Sequence, residues 1–253
     1  MNGKDRMSLH FSRCSYRYGR KVQVLDRLDL QIDGRCTVLL GPNGAGKSTL
    51  MGVGASWLTP TDGTVVWRHL DPSKRSERTA YRKAVGWLPQ SIKPMPGLTV
   101  RENVAYIGWL KGMSKSAAWS ESAGALERVK LSKLSERKSH QLSGGQLRRL
   151  GIAGALVHQS EIMLLDEPTA GLDPAQRQVF RDLIAGLSED VRIVVSTHQT
   201  EDLGDLYDCV VILEQGQVRY QGDTAGFLSL AAADSPEGKR AEAAYTQLIR
   251  QEV

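Results

Sequence analysis

The chain has 253 residues, 41% hydrophobic and 24% charged, with a net charge of +5. That suits one large soluble globular domain or two small ones, and no apolar run approaches the length needed to cross a bilayer. Cys14, Cys36 and Cys209 are scattered, without C-x-x-C spacing, which excludes a disulfide scaffold or zinc site and predicts reduced, buried thiols.

The N-terminus lacks the apolar segment of a signal peptide, and Met7 is an alternative start. The expectation is a cytoplasmic chain, unless another protein brings it to a membrane. Leu28, Leu30 and Ile32 alternate with Asp29 and Gln31, as in a half-buried strand. Gly34 turns the chain into Cys36–Leu40, a short buried strand. The next stretch, Gly41, Pro42, Asn43, Gly44, Ala45, Gly46, Lys47 and Ser48, matches G-x-x-x-x-G-K-[ST] in full, and Thr49 begins a helix. Small residues let successive backbone N–H groups converge on a phosphate, and the helix N-terminus adds its positive dipole. Lys47 would reach the β- and γ-phosphates, and Ser48 would offer its hydroxyl to Mg²⁺.

Thr59–Gly63 reads as a turn, and Thr64–Trp67 and Val85–Leu88 as strands, the latter ending at Pro89 and Gln90. The basic stretch of Arg68, Lys74, Arg75, Arg78, Arg82 and Lys83 is read as solvated surface rather than a nucleic-acid face. From Pro94 to about Ala155 the pattern is helical. Val100, Val104, Ile107 and Leu110 share one face of a first helix, Ala123–Leu131 forms a second and Gln146–Leu156 a third. Strands return at Ile162–Leu165 and Arg192–Ser196, with a helix at Phe180–Leu187 between them. Val210–Leu213 and Val218–Tyr220 form a hairpin through Gln215 and Gly216, and a last helix spans Glu237–Gln251. Alternating strands and helices predict an α/β core with a parallel sheet, into which a helical subdomain is inserted.

Two further motifs carry chemistry. In Leu164–Pro168, carboxylates end an apolar strand, where α/β sheets bind ligands; Asp166 suits Mg²⁺, and Glu167 suits polarising an attacking water. In Leu142–Gln146, Ser143 caps a helix while Gly144 and Gly145 leave backbone N–H groups open to an anion. A second anion-binding helix start suggests nucleotide carried by another subunit.

With these motifs the sequence resembles an ABC-transporter ATP-binding subunit over about residues 9–222. Gly41–Thr49 resembles the Walker A loop, Ile162–Glu167 the Walker B segment and Leu142–Gln146 the family signature. Gln90 resembles the Q-loop glutamine, Ala170–Asp173 the D-loop, His198 the switch histidine, and Tyr18 the aromatic residue stacked on adenine. The resemblance implies a P-loop NTPase core with a mostly parallel sheet, an antiparallel β subdomain and an inserted α-helical subdomain. The chain is then a single domain, with core at about 8–90 and 156–225, helical subdomain at about 91–155 and tail at 226–253.

The resemblance also implies roles. Two cassettes dimerise head to tail, each ATP lying between one Walker A loop and the other subunit's signature. Lys47 and the loop amides neutralise the phosphates; Ser48, Gln90 and Asp166 arrange Mg²⁺; Ser143, Gly144, Gly145 and Gln146 close the site from the partner. Glu167 is general base, His198 stabilises charge on the transferring group, and Asp173 couples the two sites. The partners implied are an integral-membrane permease subunit and a second nucleotide-binding subunit, identical or not, with no specific nucleic acid. The chain then sits on the inner face of the cell membrane. Pro94–Val100 is read either as a coupling surface for the permease or as packing within the subdomain. Leu98–Asn103 and the pair Arg148–Arg149 resemble the exporter branch for drugs and antibiotics. A soluble ATPase of translation or DNA repair is the alternative; a non-hydrolysing sensor would lack the base at position 167. Gly52 and Gly54 depart from the family, which usually places larger residues there.

Overall fold

The computed structural model describes residues 7–19, 21–203, 205–232 and 234–250. A small antiparallel sheet has the order β2 (Val22–Ile32), β1 (Leu9–Tyr18), β4 (Asp62–Trp67). A six-stranded sheet has the order β5 (Val85–Leu88), β6 (Ile162–Asp166), β7 (Arg192–Thr197), β3 (Cys36–Leu40), β8 (Cys209–Glu214), β9 (Gln217–Asp223). Its strands are parallel except β9, which closes an antiparallel hairpin through Gln215 and Gly216, both at positive φ. The expected α/β class is borne out.

The central strands are apolar along most of their length because both faces are covered. Val38, Leu40, Met163, Leu165, Ile193, Val195, Val210 and Ile212 face one core, shared with α3 (Val100–Leu110), α4 (Lys115–Arg128), α5 (Gly144–Leu156) and α6 (Pro174–Leu187). The alternate residues Leu39, Leu164, Val194, Val211 and Leu213 face the other, with α1 (Lys47–Gly54) and the small sheet. The thiols of Cys14 and Cys36 are buried and that of Cys209 half-buried; all are free, and burial pushes them up to about 11, 12 and 11.

Gly52 and Gly54 have a packing reason. A Cβ on Gly54 would lie 3.0 Å from Leu164 Cδ1 and 3.2 Å from Phe11 Cζ, and one on Gly52 3.0 Å from Leu58 Cδ1. The buried Tyr81, on α2 (Arg78–Ala84), donates its hydroxyl to the Gly54 carbonyl at 2.5 Å. The small residues let α1 press against both sheets.

Some boundaries differ from the sequence reading. The second helix of the inserted segment is α4, which begins at Lys115 rather than Ala123, because Ser114 caps it by accepting the Ala117 N–H at 3.1 Å. It ends at Arg128, where Lys130 turns left-handed at φ 57°. Its polar N-terminal half, with only Ala118 buried in the first turns, lacks the apolar face that the sequence reading sought. Leu110, expected on the buried face of α3, is exposed, while Val100 and Val104 are buried. α6 starts at Pro174 because Asp173 caps it. A short α7 (Thr224–Leu228) and then α8 (Arg240–Arg250) pack on the core through Phe227 and Ala244; Gln251, expected in the last helix, lies outside the described residues. Among the described residues no helix is long and apolar enough to cross a membrane.

Candidate nucleotide site

Sheet order decides which motifs meet. β7 lies between β3 and β6, with Leu40 opposite Thr197 and Asp166 opposite Ser196. The phosphate loop leaves the carboxyl end of β3, Asp166 and Glu167 stand at the end of β6, and His198 follows β7. This is the end of a parallel sheet where ligands bind.

The phosphate loop is built for an anion. Gly46 stands before α1 at φ 104°, a conformation that glycine adopts without strain. No side chain caps α1 and no acidic residue occupies its first turn, so its leading N–H groups are open. Gly41, Ala45 and Gly46 are buried, while Pro42, Asn43, Gly44 and Ser48 face solvent. The loop is braced from outside by the Gly216 N–H, which donates to the Ala45 carbonyl at 2.9 Å.

Lys47 folds back under this loop. Its Nζ donates to the carbonyls of Gly41 at 2.7 Å and Pro42 at 3.1 Å, and lies 3.5 Å from Glu167 Oε1. Burial pulls the ammonium below its ordinary value, and the Glu167 and Asp166 carboxylates oppose that shift. Glu167 is 7% exposed and has a left-handed backbone at φ 48°, a strained conformation for a non-glycine residue. His198 Nδ1 lies 3.0 Å from Glu167 Oε1 and 2.9 Å from Oε2. The buried Ser196 donates its hydroxyl to Asp166 Oδ1 at 2.7 Å and accepts the Glu167 backbone N–H at 2.9 Å, tying the Asp166 carboxylate to the main chain of its neighbour.

Lys47, Asp166, Glu167 and His198 therefore converge. Tyr18 is half exposed beside α1, its hydroxyl 3.4 Å from Thr49 Oγ1 and its ring edge-on to Tyr16 at 4.9 Å. Gln90 is exposed two residues beyond β5, the strand next to β6. The other expected residues stand apart. Ser143 caps α5 by accepting the Gln146 N–H, and Gln146 Oε1 accepts the Ser143 N–H at 2.9 Å, a reciprocal capping box. Gly144 is exposed and Gly145 half-buried. Ser143, Gly145 and Gln146 line a groove of about 250 Å³ with Leu172, Gln176 and Phe180, none of them from the phosphate loop. Asp173 caps α6 by accepting the Gln176 N–H at 2.8 Å.

Sequence reasoning gave no role to Ser196, Arg177 or Gln199, and used Arg148 only as a mark of the exporter branch. Arg148 donates to the Ala170 carbonyl, and Arg177 to the Leu172 carbonyl and Gln199 Oε1. Ser196 carried a signal, as the polar end of an apolar strand two residues before His198. The contacts of the arginines carried none, because Ala170 and Gln199 lie 22 residues away along the chain and backbone carbonyls leave no mark in residue type.

Residues 25–170 match the family described as ABC transporter. The chain belongs to the ABC transporter family. Within it, this is an ATP-binding, ATP-hydrolysing subunit. It is 34% identical over 191 residues to an ABC transporter ATP-binding protein, YxlF, of Bacillus subtilis, covering 76% of this chain and 62% of YxlF. Against the cobalt import ATP-binding protein CbiO of Rhodobacter capsulatus, identity is 36%, covering 89% of this chain and 82% of that protein. Nod factor export ATP-binding protein I of Burkholderia orbicola is also 36% identical, over 85% of this chain and 70% of its own length. Among solved structures, the dimeric ABC transporter cassette MJ0796 superposes with a TM-score of 0.74 at 27% identity, over 85% of this chain and 98% of that one.

The ABC transporter family binds ATP with Mg²⁺, and the donors here suit both. An uncapped helix start with a buried lysine beneath it fits a polyphosphate. Mg²⁺ keeps several waters and takes one or two carboxylates besides phosphate oxygens, so Asp166 with one hydroxyl is a sufficient protein share.

Proposed function

We propose that this ABC transporter subunit hydrolyses ATP in a head-to-tail dimer and delivers the work to a separate membrane subunit, driving export. The observation that carries this reading is the convergence of Lys47, Glu167 and His198 beneath a phosphate loop whose own chain places Ser143–Gln146 in a different groove. Half a site is complete, and the other half faces elsewhere. A second cassette supplies what is missing.

In this reading the amides of Gly41–Thr49 and the Lys47 ammonium hold the phosphates, and Tyr18 stacks on the adenine. Ser48, Asp166 and Gln90 would hold Mg²⁺, which would supply positive charge to the phosphate oxygens. Glu167 takes a proton from the attacking water, and His198, held against that carboxylate, orients it and stabilises charge on the group transferred. Ser143, Gly144, Gly145 and Gln146 of the second cassette close over the γ-phosphate, and Asp173 couples the two sites. Catalysis is then positioning and electrostatics, as in phosphoryl transfer generally.

The permease docks on the side of Gln90. Of the expected coupling segment Pro94–Val100, only Met95 offers a large exposed apolar side chain, and Val100 is buried. Beside it runs a groove of about 520 Å³ lined by Trp57, Trp87, Ile92, Lys93, Ile107 and Lys111. Trp57 is 73% exposed and packs against Trp87, with ring centroids 5.6 Å apart and planes tilted by 42°. An exposed tryptophan at the edge of a mostly apolar groove suits a membrane subunit's cytoplasmic helix, which would bring the chain to the inner membrane face. Export is read from the sequence of Leu98–Asn103 and Arg148–Arg149; the relatives include an import protein as well as an export one.

The test has two arms. The purified chain turns over ATP with Mg²⁺, and Glu167→Gln abolishes turnover while keeping nucleotide binding. Pull-down from solubilised membranes recovers a polytopic partner, lost on Trp57→Glu; recovery of ribosomes or DNA instead overturns the transport reading.

A further inference from the structure

Arg177 is one side chain touching two loops of the site. Its Nε donates to the Leu172 carbonyl at 3.2 Å, immediately before Asp173. Its NH1 donates to Gln199 Oε1 at 2.7 Å, immediately after His198. Gln199 is fixed in turn, its N–H donating to Thr197 Oγ1 at 3.1 Å. On the far side of the Asp173 loop, Arg148 of α5 donates to the Ala170 carbonyl. The loop thus hangs between an arginine on the signature helix and an arginine that also holds the histidine loop.

We propose that Arg177 is a positioning residue that keeps His198 against Glu167 and makes its placement depend on the Asp173 loop. This rests on the reading of Glu167 and His198 as the hydrolytic pair. A guanidinium is a planar fork whose N–H vectors have fixed angles, so one arm cannot move without the other. A displacement of residues 170–173, as a second cassette meets Asp173, is passed to Gln199 and so to the ring of His198. The Arg177–Gln199 bond is half-buried, where an arginine hydrogen bond outlasts the screening that weakens exposed pairs. In this proposal Arg177 acts only through Gln199 and His198.

The experiment compares the wild type with Arg177→Lys, Gln199→Ala, Gln199→Glu and the Arg177→Lys/Gln199→Ala double variant. It reads ATP turnover, equilibrium ATP affinity and thermal melting. Lysine keeps the charge and stem of Arg177 but not the fork. The expected result is a fall in kcat of about tenfold for Arg177→Lys and for Gln199→Ala, with ATP Kd within about twofold of wild type. The double variant is no slower than either single one, because both break the same link. Gln199→Glu, which still accepts the guanidinium, keeps wild-type turnover. Wild-type kcat in Arg177→Lys overturns the proposal, as do losses that multiply in the double variant. So does a fall in turnover tracking a lower melting temperature and recurring in Gln199→Glu. A wild type without ATP turnover, alone or with its membrane fraction, overturns the hydrolytic reading itself, and an active wild type separates the two failures.

Discussion

His198 Nδ1 lies within 3.0 Å of both carboxylate oxygens of Glu167, and the same carboxylate is 3.5 Å from Lys47 Nζ. A single acid is therefore shared between a phosphate-binding cation and an imidazole. Glu167→Gln removes the base without changing the shape of the side chain. Turnover falls at least about 100-fold while ATP binding persists, and an ATP-bound dimer accumulates on size exclusion. Undiminished hydrolysis would remove Glu167 from the role of base.

Lys47→Met tests the other side of that contact. It deletes the cation under the loop and leaves the Glu167 carboxylate with His198 alone. ATP affinity, read by equilibrium titration, weakens by at least about tenfold, as expected when a charge-assisted phosphate contact is lost. An unchanged Kd would mean that Lys47 serves the Gly41 and Pro42 carbonyls rather than the ligand.

Gly216→Ala tests the brace. Gly216 has φ 75°, and a Cβ there would lie 2.0 Å from the Val24 carbonyl oxygen. The substitution costs about 2 kcal/mol or more by denaturant unfolding. ATP affinity falls as well, because the Gly216 N–H holds the Ala45 carbonyl of the phosphate loop. A purely local turn defect would lower stability and leave affinity alone.

His158 predicts an acid limb to the stability curve. It is buried against the Lys83 carbonyl, which its Nδ1 meets at 2.9 Å, and burial together with the nearby Lys111 holds it down to about 4. Between about pH 6.5 and 4 the unfolded chain takes up a proton there that the folded chain does not. Stability from this group is present above pH 6.5 and lost as pH falls through that window, to a ceiling of about 3 kcal/mol. His158→Gln should flatten this part of the profile in melting experiments at stepped pH. An equally steep limb in the variant would assign it to the carboxylates.

Much of the molecule is legible in its amino-acid sequence. The phosphate loop and both carboxylates are contiguous in sequence, and their chemistry follows from residue type at fixed spacing. The strand positions were equally clear, because a covered parallel sheet writes short apolar runs. α4 was misplaced because its first half is polar and only Ser114, its cap, marks the start. Val100, Val104, Ile107 and Leu110 read as one apolar face, but Leu110 is exposed while Gly108 takes the buried place in the last turn of α3.

By itself the sequence determined the nucleotide chemistry: a lysine beneath an uncapped helix start, and an acid pair after a buried strand. Such motifs are local, so their geometry is set by backbone conformation and survives any arrangement of the rest. Only the tertiary structure decided that His198 faces Glu167, that Ser196 joins the Asp166 carboxylate to the Glu167 backbone N–H, and that Arg177 ties Leu172 to Gln199. Those relations depend on β7 lying between β3 and β6 and on the register that sets Asp166 opposite Ser196. A strand order is a long-range choice made by packing, and no spacing along the chain encodes it.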